Sequence, residues 1–273
     1  FAEAGRALGR PDYTHAAVKN AEFVLTAMRK DGRLLRSWKD GEAKLLGYLE
    51  DYSMVADALL SVYEATFDLK WLDVARGLAN DMLRLFWDKE REIFFDTGVD
   101  HERLVVRPRN LFDNAVPCGS SVAVELLLRL AVFTGEEAYE RLAVQALRPM
   151  TDLMGRYPSG FGRWLSALDF HLGPVVEVAL VWPAGADGLN GLLREVFGRY
   201  LPNRVVVGAP EGTRAALPLL ESRSVVGGKP AAYVCRRYVC QAPATDPELL
   251  AHPVRPPASP PPNANARAKR VAR

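Results

Sequence analysis

Two adjacent carboxylates, Glu50 and Asp51, stand where an apolar-periodic run begins, in the segment Gly47-Tyr48-Leu49-Glu50-Asp51-Tyr52. A helix start favours negative charge, so Asp51 has a structural use as an N-cap. It has a chemical use as well. A carboxylate over a cavity can act as general acid or base, or accept hydrogen bonds from sugar hydroxyls. In that reading Asp51 stays charged and serves as the base, Glu50 stands beside it, and His171 is the second proton carrier. A lone histidine is more often structural, and that alternative stays open. Tyr48, Trp38 and Trp164 offer flat aromatic faces that suit sugar rings, and the same residue types also pack loops.

The densest polar segment is Asp113-Asn114-Ala115-Val116-Pro117-Cys118-Gly119-Ser120-Ser121. Asp113, Asn114 and Ser120 read either as a substrate-binding turn or as caps for the helix that follows, and Gly119 permits close backbone approach. Arg107, with Arg109, can hold an anionic group or pair with the neighbouring aspartates. Cys118 sits near a helix N-terminus, but no His or second Cys stands beside it to make a nucleophile. Cys235 and Cys240, five positions apart, match no zinc pattern and supply too few ligands, so neither metal nor cofactor is expected. They read as packing residues or as a pair across a hairpin.

Most of these groups lie on connections, so the fold must gather the connections at one place. Tyr13/Ala17, Trp71/Ala75 and Tyr139/Ala143 each place alanine four positions after an aromatic residue, near the start of a predicted helix. Their offsets of 58 and 68 residues far exceed the roughly 34-residue period of a two-helix tetratricopeptide unit. The surplus sits in two long connections, Arg29 to Glu50 and Trp87 to Cys118, with a third at Gly155 to Arg163. Helices are predicted over residues 12–30, capped by Asp12, and over 51–67, 70–86, 119–133 and 136–154, with another beginning near Trp164. Helical hairpins with long loops on one end describe a toroid whose site is built from those loops. Three hairpins are visible where a closed toroid has six. The chain opens on Phe1, so the expectation is the second half of a longer toroid, marginal or self-associating on its own.

After His171 the texture changes. Pro174 to Trp182 and Arg204 to Val207 read as strands, Leu189 to Tyr200 as a helix, and Ala231 to Gln241 as a third extended stretch. The division expected is therefore a helical half-toroid over 1–172, a small α/β appendage over 173–250 and a disordered proline-rich tail over 251–273. A hydrophobic content of 49% and 25% charged residues fit an ordinary globular chain, and a net charge of +2 gives no reason to expect nucleic acid. No apolar run approaches the roughly 18 residues of a membrane span. Three cysteines in a chain this long suggest a reducing, cytoplasmic setting.

Several of these segments resemble one family. They are Leu49-Glu50-Asp51-Tyr52, Phe95-Asp96-Thr97-Gly98 through Arg107-Pro108-Arg109, the Asp113-to-Ser121 turn, Ser166-Ala167-Leu168-Asp169, and Ala232-Tyr233-Val234-Cys235 with Cys240-Gln241. Together they are similar to the YyaL-type thioredoxin-domain-containing proteins, which include a spermatogenesis-associated member in animals. The resemblance covers roughly residues 1–250. It implies a mainly α fold, a partial (α/α)6 toroid like those of N-acylglucosamine 2-epimerases and six-hairpin glycosidases, preceded in the full-length chain by a thioredoxin-like partner domain. The family more often has Ser at position 118 and Ala at 53, which argues against chemistry at Cys118. Two function classes follow. One is a carbohydrate-active enzyme, epimerase, isomerase or hydrolase, acting on a sugar-like small molecule. The other is a non-catalytic ligand- or client-binding module serving the thioredoxin-like domain.

Overall fold

Helices dominate, and they arrive in antiparallel pairs. The computed structural model describes residues 1–185, 189–213, 216–237 and 239–251. The helices α1 (Ala2–Ala7) and α2 (Pro11–Ala27) lead into an antiparallel meander of β1 (Arg29–Lys30), β2 (Arg33–Lys39) and β3 (Glu42–Leu46). The first long connection is therefore largely sheet, not loop. Next come α3 (Leu49–Thr66) and α4 (Leu69–Phe86), then a short ribbon of β4 (Trp87–Asp88) and β5 (Ile93–Phe94). A long irregular connection reaches α5 (Gly119–Thr134), which is followed by α6 (Glu137–Leu147), α7 (Thr151–Arg156) and α8 (Gly162–Leu172).

Local chemistry explains where these helices start and stop. Pro11 occupies the first position of α2, where its missing N–H costs nothing. Asp12 is accordingly not the cap; it lies in the first turn and pairs with Arg10. Asp68 does cap α4, its carboxylate accepting the Lys70 N–H at 3.1 Å. The single helix expected over 136–154 is interrupted by a 3-10 turn at Arg148–Met150, because Pro149 lacks the N–H that would continue the ladder. On α4, Trp71, Leu72, Ala75, Leu78, Ala79 and Met82 form the buried stripe read from their spacing.

Packing arranges the helices in two layers. In the first, α3 lies between α1 and α5, and α5 packs in turn on α8. Behind it, α2 backs α1 and α3, α4 backs α3 and α5, and α6 backs α5. The N-termini of α3 and α5 meet closely: a Cβ on Gly119 would sit 2.7 Å from the Glu50 backbone nitrogen. Glycine at 119 is what permits this approach.

At the opposite end sits a four-stranded sheet of β6 (Val176–Trp182), β7 (Arg204–Pro210), β8 (Ala231–Arg236) and β9 (Val239–Cys240) in the order β7-β6-β8-β9, with α9 (Asn190–Phe197) between β6 and β7 and α10 (Pro247–Ala251) last. β6 and β7 are parallel, the other pairings antiparallel. The extended stretch expected over 231–241 folds back as a hairpin, and Cys235 and Cys240, read either as packing residues or as a pair across a hairpin, face each other as a disulfide. Alternate residues serve two cores, as the two-residue period of a strand requires. Ala179, Val205, Val207 and Tyr233 join the helical core, while Val178, Leu180, Val206 and Val234 meet Leu192 and Val196 of α9 and Leu250 of α10. The sheet thus shares a hydrophobic core with the helices. The tail lies outside the described residues from position 252. Among the described residues no helix is long and apolar enough to cross a membrane.

Candidate functional site

The end of the first layer that carries the N-termini of α3, α5 and α8 also gathers the connections. The Leu49 N–H donates to the Asp96 carbonyl and the Asp96 N–H to the Pro108 carbonyl, drawing the second connection across the start of α3. From β2, Arg36 reaches over this end and gives one nitrogen to Glu50 Oε1 at 2.6 Å and the other to Asp51 Oδ2 at 2.8 Å. Burial opposes the charge on Arg36, but Glu50 and Asp51 outweigh it and hold the guanidinium firmly protonated. The same guanidinium lies over the Tyr48 ring, which stacks in turn on His101 with centroids 5.2 Å apart. His101 Nδ1 accepts the Gly98 N–H at 3.0 Å, so the neutral ring carries its proton on Nε2. Asp96 lies close by, where burial and the neighbouring Glu50 raise its pKa against the pull of the Asn110 N–H and Arg109.

Of the residues singled out in the sequence, Glu50, Asp51 and Tyr48 come together here. Asp51 accepts the Tyr48 N–H at 2.8 Å, so it caps α3 while pairing with Arg36. Asp113 lies at the α5–α8 junction. It accepts the Cys118 N–H and the Ser121 hydroxyl on one oxygen, and the Arg163 and Trp164 N–H groups on the other. Asn114 is exposed in the turn beside it, its N–H donating to the Val116 carbonyl. Ser120 is buried, and Ser121 makes the bond to Asp113. Trp164 is buried in the core with its indole N–H on the Leu111 carbonyl, so its ring presents no open face. Arg107 donates to the Thr97 carbonyl and lies over the Phe95 ring. Trp38, 41% exposed, packs edge-on against Phe23 of α2.

His171 stands apart from all of these. It occupies the last turn of α8, roughly 14 Å along the axis from the N-terminal end, and its Nδ1 lies 3.3 Å from Glu140 of α6. Its hydrogen bond holds the Glu140 carboxyl below the usual range. Cys118 is buried, and burial pushes its thiol pKa up, the reverse of what a nucleophile needs. Among the described residues no group of three or more His, Cys, Asp or Glu could hold a metal ion.

A second polar cluster runs down the first layer, and none of its members was singled out in the sequence. Arg129 of α5 binds Asp57 Oδ1 at 2.6 Å and Glu64 Oε2 at 3.0 Å. Arg163 of α8 binds Asp57 Oδ2 at 2.9 Å and Glu125 Oε2 at 2.6 Å. Glu64 ends the chain of charges by accepting the Val206 N–H of β7 at 2.8 Å. Burial works against the charge on Arg129, yet Asp57 and Glu64 hold it protonated beyond its ordinary range. Burial pushes Glu125 the other way, toward its neutral form, with Arg163 opposing and Asp57 reinforcing the shift. The signal was present in Gly119-Ser120-Ser121-Val122-Ala123-Val124-Glu125-Leu126-Leu127-Leu128-Arg129-Leu130. A helix apolar all round is a buried one, and the two charges it carries must then find partners.

The shift on Glu125 gives a pH dependence of known sign. Its folded-state pKa stands above the ordinary 4.5, so the folded state holds this proton more tightly than the unfolded chain. The stability it contributes is full below that value and declines as pH rises through the raised one. Glu125→Gln should therefore flatten the fall in the urea midpoint as pH rises from about 4.5 toward neutrality. A profile identical to that of the unaltered chain would rule out a tightened proton at this position.

No protein-family model matches the chain. Human spermatogenesis-associated protein 20 is 30% identical over 271 residues, which cover 93% of this chain and 34% of the human protein. The mouse protein of the same name is 29% identical over 265 residues, 90% of this chain and 33% of its own length. An uncharacterized Caenorhabditis elegans protein is 26% identical over 242 residues, 85% of this chain and 33% of its own length. The chain spans about a third of the length of the curated relatives it matches. Over nearly all of its own length, the chain is similar to spermatogenesis-associated protein 20.

Proposed function

We propose that the end of the helical layer bearing Glu50 and Asp51 binds a small polyhydroxylated, sugar-like molecule. In this reading the two layers are part of an (α/α)6 toroid, and the open side of the first layer faces its axis. The observation that carries the proposal is the group Arg36, Glu50, Asp51 and Tyr48. It combines charged donors and acceptors with an aromatic face, partly exposed, where three helix starts converge. Carboxylates accept from hydroxyls, a guanidinium donates to them, and an aromatic face covers the apolar side of a sugar ring. Asp51 already serves the Tyr48 N–H and Arg36, which favours a binding role for it over proton transfer. The second reading therefore also draws on this geometry: a non-catalytic binding module beside a thioredoxin-like domain in the full-length, cytoplasmic protein.

The test is thermal-shift and calorimetric titration of the full-length protein with glucose, galactose, maltose and cellobiose. Glu50→Gln should weaken binding by about tenfold with an unchanged melting temperature. Asp51→Asn keeps an oxygen for the Tyr48 N–H and should weaken binding by a similar factor, through a loosened Arg36. Absence of binding by the unaltered protein to every sugar would sink the proposal, as would variants that lose stability but bind normally.

A further inference from the structure

The disulfide at the edge of the sheet has a cation aimed at it, which a purely structural cross-link does not need. β9 is an outer strand in the order β7-β6-β8-β9, and Cys240 lies on it, half-buried between exposed Val239 and Gln241. Its partner Cys235, on the inner strand β8, is 1% exposed. Cys240 is therefore the member of the pair placed to meet another molecule. From the connection between β7 and β8, Arg223 donates from a terminal nitrogen to Cys240 Sγ at 2.8 Å. Its guanidinium lies over the Tyr233 ring, 5.1 Å from the centroid. The Tyr233 hydroxyl donates to the Ser224 carbonyl at 2.8 Å, which fixes the segment that carries Arg223. Among the described residues, Arg223 Nε is buried without a hydrogen-bond partner and no carboxylate pairs with the side chain. A disulfide sulfur is a weak acceptor, whereas a thiolate carries a full negative charge. The cation beside Cys240 thus has no counter-charge while the pair is oxidised, and gains one when Cys240 is a thiolate.

We propose that Cys235 and Cys240 form a thiol–disulfide exchange site for external thiols, with Cys240 as the exchanging sulfur and Cys235 as the resolving one. The site shares no residue with the sugar-binding mouth. In the reductive direction an external thiolate, drawn in by Arg223, attacks Cys240 Sγ. The Cys235–Cys240 bond breaks, its electron pair stays on Cys235 Sγ, and Cys235 takes a proton from solvent. A second external thiolate then attacks the reductant's sulfur in the mixed disulfide and releases Cys240 as a thiolate beside Arg223. The two thiols lose two electrons and two protons and become one disulfide. The pair gains both electrons and one proton, and the other proton goes to solvent. The surroundings decide which sulfur keeps the charge. Cys235 stands directly across from Glu177 of β6, whose carboxyl disfavours a thiolate there, while Arg223 favours one at Cys240. Reduction leaves the hairpin in place, because Arg236 still pairs with Val239 and the Gln241 N–H still donates to the Val234 carbonyl at 3.0 Å. A stabilised reduced form makes such a pair easier to reduce than a structural disulfide.

The test uses the full-length protein equilibrated with glutathione at fixed reduced-to-oxidised ratios, then acid-quenched, alkylated and mapped by mass spectrometry. In about 5 mM reduced glutathione, held in roughly hundredfold excess over the oxidised form, the pair should be mostly reduced, where structural disulfides stay closed. Cys235→Ser should trap glutathione on Cys240, because the resolving sulfur is gone, and Cys240→Ser should leave buried Cys235 unmodified. Arg223→Gln should shift the half-reduction point by about tenfold toward more reducing buffer, the loss of one charge-assisted bond, and Arg223→Lys should recover part of that shift. A purely structural Arg223 would lower the melting temperature of both redox forms and leave the half-reduction point where it was. A pair that stays closed at that excess overturns the proposal, and so do cysteines that stay free in oxidised glutathione. Glutathione recovered on Cys235 rather than Cys240 overturns it as well, as does an Arg223→Gln half-reduction point equal to that of the unaltered protein.

Discussion

Arg129→Met should cost about 3–5 kcal/mol of folding stability, the range for removing one partner from a buried ion pair. The side chain is 10% exposed and neutralises Asp57 and Glu64 at once. Methionine fills much of the same volume, so a cavity accounts for little of the loss. The loss comes from the acids left behind. Asp57 keeps Arg163, but buried Glu64 keeps among the described residues only the Val206 N–H as a direct hydrogen-bond partner. The Glu64 contact also ties the end of α3 to β7, so the substitution should loosen the sheet from the helices. Urea denaturation of matched chains gives the number. Adding Glu64→Gln to Arg129→Met should recover part of it, because the orphaned charge is then gone, and the double-mutant cycle isolates the pair. A loss below about 1 kcal/mol would mean that the network behaves like a solvated surface pair.

That network also marks the boundary of what the residues disclose before folding. The helix pairs were legible because their signal is local: Trp71 to Met82 repeats at helical spacing, and the helix holding them runs Leu69–Phe86. Strands near Val176 and Arg204 were legible for the same reason. The meander over Arg29–Leu46 was not, because Arg33-Leu34-Leu35-Arg36-Ser37-Trp38-Lys39 has no clean alternation and is held by pairing with β3. Site residues divide along the same line. Glu50 and Asp51 sit at a helix start that sequence reveals, so their meeting with Tyr48 could be anticipated. His171 was assigned to the same site, although it lies at the far end of α8; residue type carries no information about which end of a helix the chain has reached. Asp57, Glu125 and Arg163 are 38 to 106 positions apart in sequence, as their numbers show. Only packing of three separate helices makes them neighbours.

Asp113 poses this question most sharply, because sequence offered it as a substrate-binding residue and the fold gives it other partners. Asp113→Ala should lower stability by about 3 kcal/mol, from two helix ends losing an acceptor at about 1 kcal/mol or more each and from charge-assisted bonds worth more than neutral ones. One carboxylate oxygen serves the Cys118 N–H at the start of α5 together with the Ser121 hydroxyl at 2.6 Å. The other serves the Arg163 and Trp164 N–H groups in the first turn of α8, at 2.8 and 3.3 Å. Alanine would orphan donors at both helix starts and release the connection that crosses them. Asp113→Asn should lose roughly half as much, since one oxygen remains an acceptor and the amide nitrogen faces donors. The discriminating quantity is the order of the effects under denaturant. If Asp113 is structural, sugar binding by the folded fraction holds in both variants while their stability falls. A fully stable Asp113→Ala that no longer binds sugar would show the opposite: the carboxylate meets the ligand, and its four protein donors exchange for hydroxyls when the ligand arrives.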